Sequence, residues 1–256
     1  MIFAWLGAVA IGLSLGLLGS GGSILTVPIL VYLVGEGEKV AIAESLAIVG
    51  LIAAAGALPY SRQKLVHWPM VGLFGIPGMV GAYGGAVAAR FVSGPAQLLL
   101  FSIIMLVAAV LMFRPPDLSS GDEPRTTRSP LKIAIDGLVV GAVTGLVGVG
   151  GGFLIVPALV LLGGLSMHLA VGTSLAIIAL KSLVGYAKYL SVLGELGLTV
   201  QWDLIWIFSG LGMVGTVIGR KLAGRVPQAR LRRIFAVFLV LMGVFILVRN
   251  RAVLGL

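Results

Sequence analysis

GLSLGLLGSGGSILTVPILV, residues 12–31, returns as GAVTGLVGVGGGFLIVPALV at residues 141–160. The offset is 129 residues, and 11 of the 20 aligned positions are identical, among them Gly19/Gly148, Gly21/Gly150, Gly22/Gly151 and Pro28/Pro157. The same offset, without a gap, pairs Ser45-Leu46-Ala47-Ile48 with Ser174-Leu175-Ala176-Ile177. The chain is therefore a duplicated unit whose most similar part is a glycine-rich break inside an apolar segment. Glycine breaks at matching places in two halves are the sequence pointer to a transporter's binding site.

Composition sets the class. The chain is 59% hydrophobic and 11% charged, with a mean hydropathy of +1.14, whereas soluble domains carry roughly 25% charged residues. A water-soluble fold of 256 residues has no way to hide that much apolar surface. The long apolar runs, interrupted by Gly and Pro, predict an all-α polytopic membrane protein, and the alternating pattern of a β-barrel is absent. The net charge of +9 reads as Lys/Arg enrichment in cytoplasmic loops, not as a nucleic-acid surface. There is no Cys, and the two histidines, His67 and His168, fall in separate halves, so no disulfide, metal site or cofactor is expected. The N-terminal run resembles a signal peptide but lacks its positive n-region. Its internal copy at 131–148 is not cleavable, so the first copy is expected to be structural.

Each half reads as five apolar segments, at 3–19, 22–35, 40–59, 69–90 and 95–113, then at 132–148, 151–164, 168–190, 203–222 and 231–248. The predicted units are a first transmembrane repeat (1–113), a linker rich in proline and mixed charge (114–131), and a second transmembrane repeat (132–256). The second segment of each half has only about 14 residues, ~21 Å of helix against a ~30 Å hydrocarbon core. A glycine-broken helical hairpin therefore competes with one long kinked helix. With hairpins, followed by three transmembrane helices per half, loop Lys/Arg divide twelve against five. With kinked helices they divide nine against eight. The positive-inside rule favours the hairpins. The repeats are then inverted in the plasma (inner) membrane, with the linker cytoplasmic and both termini outside.

The two turns, Gly19-Ser20-Gly21-Gly22-Ser23 and Gly148-Val149-Gly150-Gly151-Gly152, each precede a short helix containing a proline. Glycine lets a ligand approach the backbone closely, and Ser20 or Ser23 can cap the following helix. The first N–H groups of that helix lack intrahelical partners and sit at the positive end of its dipole, which makes an anion site from backbone alone. Two inverted hairpins enter from opposite faces, so their tips are placed to meet near the midplane. Gly12/Gly16, Gly141/Gly145 and the repeated Gly-Met-Val-Gly at 78–81 and 212–215 read instead as close helix packing.

Polar residues within the apolar segments complete the candidate set. Lys181 lies midway along segment 168–190, where a charge marks function by default. Its repeat partner is Ile52, so the shared scaffold does not require it. Its competing role is to snorkel to an interface. Glu44-Ser45 and Thr173-Ser174 occupy matching places, suited either to an oxyanion or to helix–helix bonding. Glu44 is a candidate proton-coupling carboxylate, with an interfacial charge as the alternative. Tyr60/Tyr189 and Trp68/Trp202 read as aromatic-belt residues.

The paired GLLGSGGSILTVPIL and GLVGVGGGFLIVPAL, each followed by a Ser-Leu-Ala-Ile helix, resemble the sulfite exporter TauE/SafE family along essentially the whole chain. The resemblance implies a permease for a small sulfur oxyanion or organosulfonate such as sulfite or sulfoacetate, with 19–23 and 148–152 in the shared core. The second turn departs from the first, with Val149 and Gly152 in place of Ser20 and Ser23. The expected partners are a small anionic substrate and the lipid bilayer; a homo-oligomer is left open. An anion channel of the same architecture is the alternative. No acid pair, HExxH or Ser/His spacing speaks for an enzyme, and GSGGS lacks the GK[ST] ending of a P-loop.

Overall fold

The computed structural model describes residues 2–89, 91–92, 94–113, 129–147, 152–195 and 197–249. The expected linker (114–131, of which 129–131 are described) and the core of the second glycine turn, Gly148 to Gly151, thus lie largely outside the described residues. Every regular element among the described residues is helical. The first half contains α1 (Ile2–Leu18), α2 (Gly21–Ile29) with a π-helical turn at Leu30–Val34, and α3 (Glu38–Arg62). It continues with α4 (Trp68–Met70), joined through a π turn at Val71–Gly75 to α5 (Ile76–Ala89), and α6 (Gly94–Phe113). The second half contains α7 (Pro130–Val147), α8 (Gly152–Leu161), α9 (Met167–Glu195), α10 (Trp202–Ala223) and α11 (Gln228–Arg249). Four of these are long and apolar enough to cross a membrane: Lys39–Arg62, Met167–Glu195, Trp202–Ala223 and Gln228–Val248. With the shorter apolar helices Phe3–Leu18, Gly21–Val34 and Leu99–Phe113, they form a polytopic membrane protein.

The first glycine break makes a hairpin. A Cβ added to Gly21 would touch Ser14 at 3.2 Å, and one added to Gly7 would touch Ile29 at 3.1 Å. α2 therefore runs back along α1, which excludes one kinked helix through 3–35. The reversal sits at Gly19, whose φ of +77° is left-handed backbone that favours glycine. α2 contains Pro28, which cannot donate to the carbonyl one turn back, and the π turn follows directly.

Cross-half contacts dominate the bundle. α1 packs along α10, α7 along α5, α3 along α9 and α6 along α11. Small residues make the first two pairs possible. A Cβ on Gly12 would run into the Gly212 backbone, and one on Gly16 into that of Thr216. Likewise, a Cβ on Gly141 would strike Gly78, and one on Gly145 would strike Ala82. Helix axes this close gain van der Waals contact and cross-helix bonds, which drive association where lipid removes the hydrophobic term. Thr216 Oγ1 adds a 3.0 Å bond to the Gly12 carbonyl. Gly-Met-Val-Gly is thus the receiving surface for the repeated GxxxG of α1 and α7.

α3 and α9 form the centre: 72% and 67% of their apolar windows are buried, against 39% for α10 and 33% for α11. Tyr60 departs from its expected interfacial role. It is buried, and its hydroxyl donates to the Gly16 carbonyl at 3.1 Å, tying α3 to α1. Trp68 and Trp202 are exposed at their helix starts, as belt residues are. At the edge, Arg232 Nε donates to the Met112 carbonyl at 2.7 Å, where a cation meets the negative end of α6.

Gly12→Leu and Gly141→Leu should each separate a helix pair and cost at least the ~1–3 kcal/mol of ordinary overpacking. Both should sharply lower the yield of monodisperse protein in detergent. Gly210→Ala, where an added Cβ meets nothing within 4 Å, should not.

Candidate functional site

The first turn is built from three short-range decisions. Gly19 reverses the chain, Ser20 sits at the N-terminus of α2, and Gly21 and Gly22 press the new helix against α1. A Cβ on Gly22 would lie 2.6 Å from the Ile11 carbonyl oxygen. Ser23 and Thr26 turn their hydroxyls inward along α2, donating to the Ser20 carbonyl at 2.8 Å and the Gly22 carbonyl at 2.7 Å. The expected serine cap is not made. Ser20 holds the capping position but forms no side-chain cap bond, and Ser23 bonds back to the Ser20 carbonyl. The reason lies in the backbone: at Ser20, φ −153° and ψ −12° depart from the extended conformation of a capping residue.

α9 receives the tip of this hairpin. Ser174 Oγ lies 2.9 Å from the Gly19 carbonyl oxygen and 2.8 Å from that of Val171. A Cβ on Gly19 would come within 2.6 Å of the same hydroxyl and 2.8 Å of Val171 Cα. The start of α8 also meets this tip. A Cβ on Gly152, the first residue of α8, would lie 2.7 Å from Ser23 Oγ. Ser20, Ser23, Thr173 and Ser174 are all buried at this junction or beside it. Among the described residues, Ser20 Oγ is buried with no hydrogen-bond partner. Leaving a buried hydroxyl unsatisfied costs about 1–3 kcal/mol.

The other candidates make their bonds away from the tips. Ser45 is buried and donates to its own helix at the Ile42 carbonyl, 2.8 Å away. Thr173 accepts the His67 backbone N–H at 2.9 Å. Glu44 is fully buried, and its Oε1 accepts the Gln201 N–H at 2.7 Å. Lys181 stands seven residues beyond Ser174 on α9, about 10 Å along the axis. Its Nζ lies 2.5 Å from Thr144 Oγ1 on α7, so it does not snorkel outward. The two groups line a cleft of ≈ 110 Å³ with Met79, Tyr83, Lys188 and Tyr189. Among the described residues no acidic side chain lines that cleft. Of the second turn only Gly152 is described; Gly148, Val149, Gly150 and Gly151 are not.

Sequence reading missed Thr144, His67 and Gln201. Thr144 carried a signal, a hydroxyl in α7 where the first repeat has Leu15. The other two act through backbone N–H groups, which every residue except proline carries, so their side chains gave no sign.

The family model "Sulfite exporter TauE/SafE" matches residues 4–246. The chain belongs to the sulfite exporter TauE/SafE family. A "Probable membrane transporter protein" of Xylella fastidiosa (strain Temecula1) is 31% identical over 250 residues, covering 94% of this chain and 93% of its own. Similarly named proteins of Methanocaldococcus jannaschii and Bacillus subtilis are each 26% identical. The match covers 93% of this chain and 94% of the relative in the first case, and 86% and 87% in the second. Family membership and these names support a membrane transporter and not an enzyme.

Gly19→Ala should destabilise the protein more than Ser174→Ala. The first adds a Cβ against Val171 in a left-handed residue, whereas the second removes one hydrogen bond worth about 1 kcal/mol. Thermal unfolding in detergent orders the two.

Proposed function

We propose that the protein is a secondary transporter of a small anion, a sulfur oxyanion or an organosulfonate such as sulfite or sulfoacetate. The anion binds at the meeting point of the two glycine turns, near the bilayer midplane. The observation that carries this reading is the buried, unpartnered hydroxyl of Ser20 at the N-terminus of α2. It stands beside backbone N–H groups that an α-helix leaves free and at the positive end of the helix dipole. An oxyanion accepts from both kinds of donor. Gly19 to Gly22 keep side chains out of its way, and Ser23, Ser174 and Gly152 form the rest of the described surround. Thr173 and Ser45 hold neighbouring segments. Lys181 supplies the positive charge, with no acidic group lining its cleft, that draws an anion into the bundle.

Residues 1–113 and 132–256 act as two repeats joined by a cytoplasmic linker. Their pairing supports a two-fold relation. Exchanging the halves converts the α1–α10 contact into the α7–α5 contact, and returns α3–α9 and α6–α11 to themselves. A hairpin plus three crossings is an odd number per half, so the second repeat enters the membrane inverted, and both termini face outside. Alternating access follows as rocking of one repeat against the other around the tips.

Thermal shift of the purified protein against sulfite, thiosulfate, sulfoacetate, taurine and chloride tests the site. A bound anion at a hundred times its Kd stabilises by about 2.7 kcal/mol. A sulfur anion should raise the melting temperature, and Ser20→Ala and Lys181→Ala should each reduce the shift. No shift with any anion would sink the reading. For the inverted topology, single cysteines at Lys64 and Arg230 should label from the cytoplasmic side, and one at Lys188 from the opposite side.

A further inference from the structure

Glu44 and Thr173 are repeat partners that do one mechanical job. Each receives a backbone N–H from the residue just before the tryptophan that opens the fourth segment of the other half. Glu44 Oε1 takes it from Gln201, before Trp202, at 2.7 Å; Thr173 Oγ1 takes it from His67, before Trp68, at 2.9 Å. Thr173 shows that a neutral hydroxyl is sufficient for this latch. The carboxyl of Glu44 brings more than the fold requires. Its second oxygen, Oε2, is fully buried with no hydrogen-bond partner among the described residues.

No hydrogen-bonding cation meets this oxygen among the described residues. Among the described residues the titratable groups facing Glu44 are Glu36, in the loop before α3, and Tyr186, on α9. α10 presents the Gln201 amide, whose side-chain Nε2 lies 2.5 Å from Glu36 Oε1. Tyr189 of α9 packs against the adjoining Val40 and Ala43. The Tyr186 hydroxyl is buried without a partner as well, and its ring meets Trp202 edge-on at 6.3 Å. Two unsatisfied oxygens thus flank the start of α10.

We propose that Glu44 is the site where the transporter carries its coupling proton, and that loading this site loosens the seat of α10. The inference rests on the carrier reading above. One proton passes from water to Oε2 and returns to water, and no other bond is made or broken. The ionised carboxylate holds the Gln201 N–H by a charge-assisted bond, strengthened by the positive end of α10. The protonated carboxyl keeps the contact but grips less. α10 lies along α1, so its movement carries the first hairpin and its anion-binding tip. Thr173 has one neutral form, so only the first half is switched by protons.

The test uses the full-length protein in liposomes, with radiolabelled sulfite as the probe and an imposed pH gradient. Wild-type flux should respond several-fold to the gradient. Glu44→Gln and Glu44→Thr should lose that response while still giving a sulfite thermal shift. Glu44→Thr copies the latch of the other half and so keeps the fold. Asp203→Asn, an exposed acid in the first turn of α10, should keep the response. A gradient response that survives in a folded Glu44→Thr protein overturns the proposal. Infrared spectroscopy separates the proposal from the carrier reading. A carboxylic-acid carbonyl band that titrates in wild type and is missing in Glu44→Gln upholds the proton site even if sulfite is not moved. The same band unchanged in Glu44→Gln refutes it whatever the flux.

Discussion

A helix that stops inside a bilayer leaves backbone groups that no water can satisfy, and each costs several kcal/mol unless protein receives it. The first hairpin of this chain is an answer to that constraint. The carbonyl of Gly19, at the point of reversal, is met by Ser174 from the other half. The Ser20 and Gly22 carbonyls are met by Ser23 and Thr26, and the Gly16 carbonyl by Tyr60. The break survives because α3 and α9 bring polar groups to it. These two helices are the most buried of those long enough to span, and burial without lipid contact is the condition under which irregular backbone persists at membrane depth.

The same constraint explains the small-residue seams. If α3 and α9 are to surround the tips, the helices outside them must pack without wedging the bundle open. Gly12 on Gly212 and Gly141 on Gly78 give α1 and α7 backbone-to-backbone seats on the opposite half. The first hairpin is thereby fastened to the opposite half twice, by α1 on α10 and by Ser174 on the Gly19 carbonyl. A hairpin held in this way belongs by chain to one half and by contact to the other, which suits the binding site proposed between the repeats.

Much of this was legible in the sequence. Ten apolar segments, their short second members and the hairpin at Gly19 followed from length, glycine placement and charge asymmetry. The roles of Gly12, Gly16, Gly141 and Gly145 followed from their spacing of four. Three features were not legible, for three physical reasons. Tyr60 near a segment end looked interfacial, because hydropathy says nothing of which helix lies beside it; the structure buries it against Gly16. Ser20 looked like a cap, because the sequence does not reveal φ and ψ at a glycine-flanked turn. The partner of Lys181 was hidden, because Thr144 is 37 residues away on a helix whose facing could not be read from period alone.

Duplication makes the remaining asymmetry informative. The two halves share their glycines, their proline and their Ser-Leu-Ala-Ile helices, and these are the parts that set the backbone. They differ where side chains bring charge or hydroxyl groups: Ser20 and Ser23 against Val149 and Gly152, Glu44 against Thr173, and Lys181 against Ile52. In each of these pairs one member is enough for the scaffold, so the polar or charged excess of the other is free to serve the cargo. The first half carries the hydroxyl-bearing turn and the carboxyl that grips α10; the second carries the ammonium in the cleft. In the mechanism proposed above, polar groups divided in this way between two repeats let one set of motions serve two unlike events, an anion arriving at the tips and a charge changing at the seat of α10.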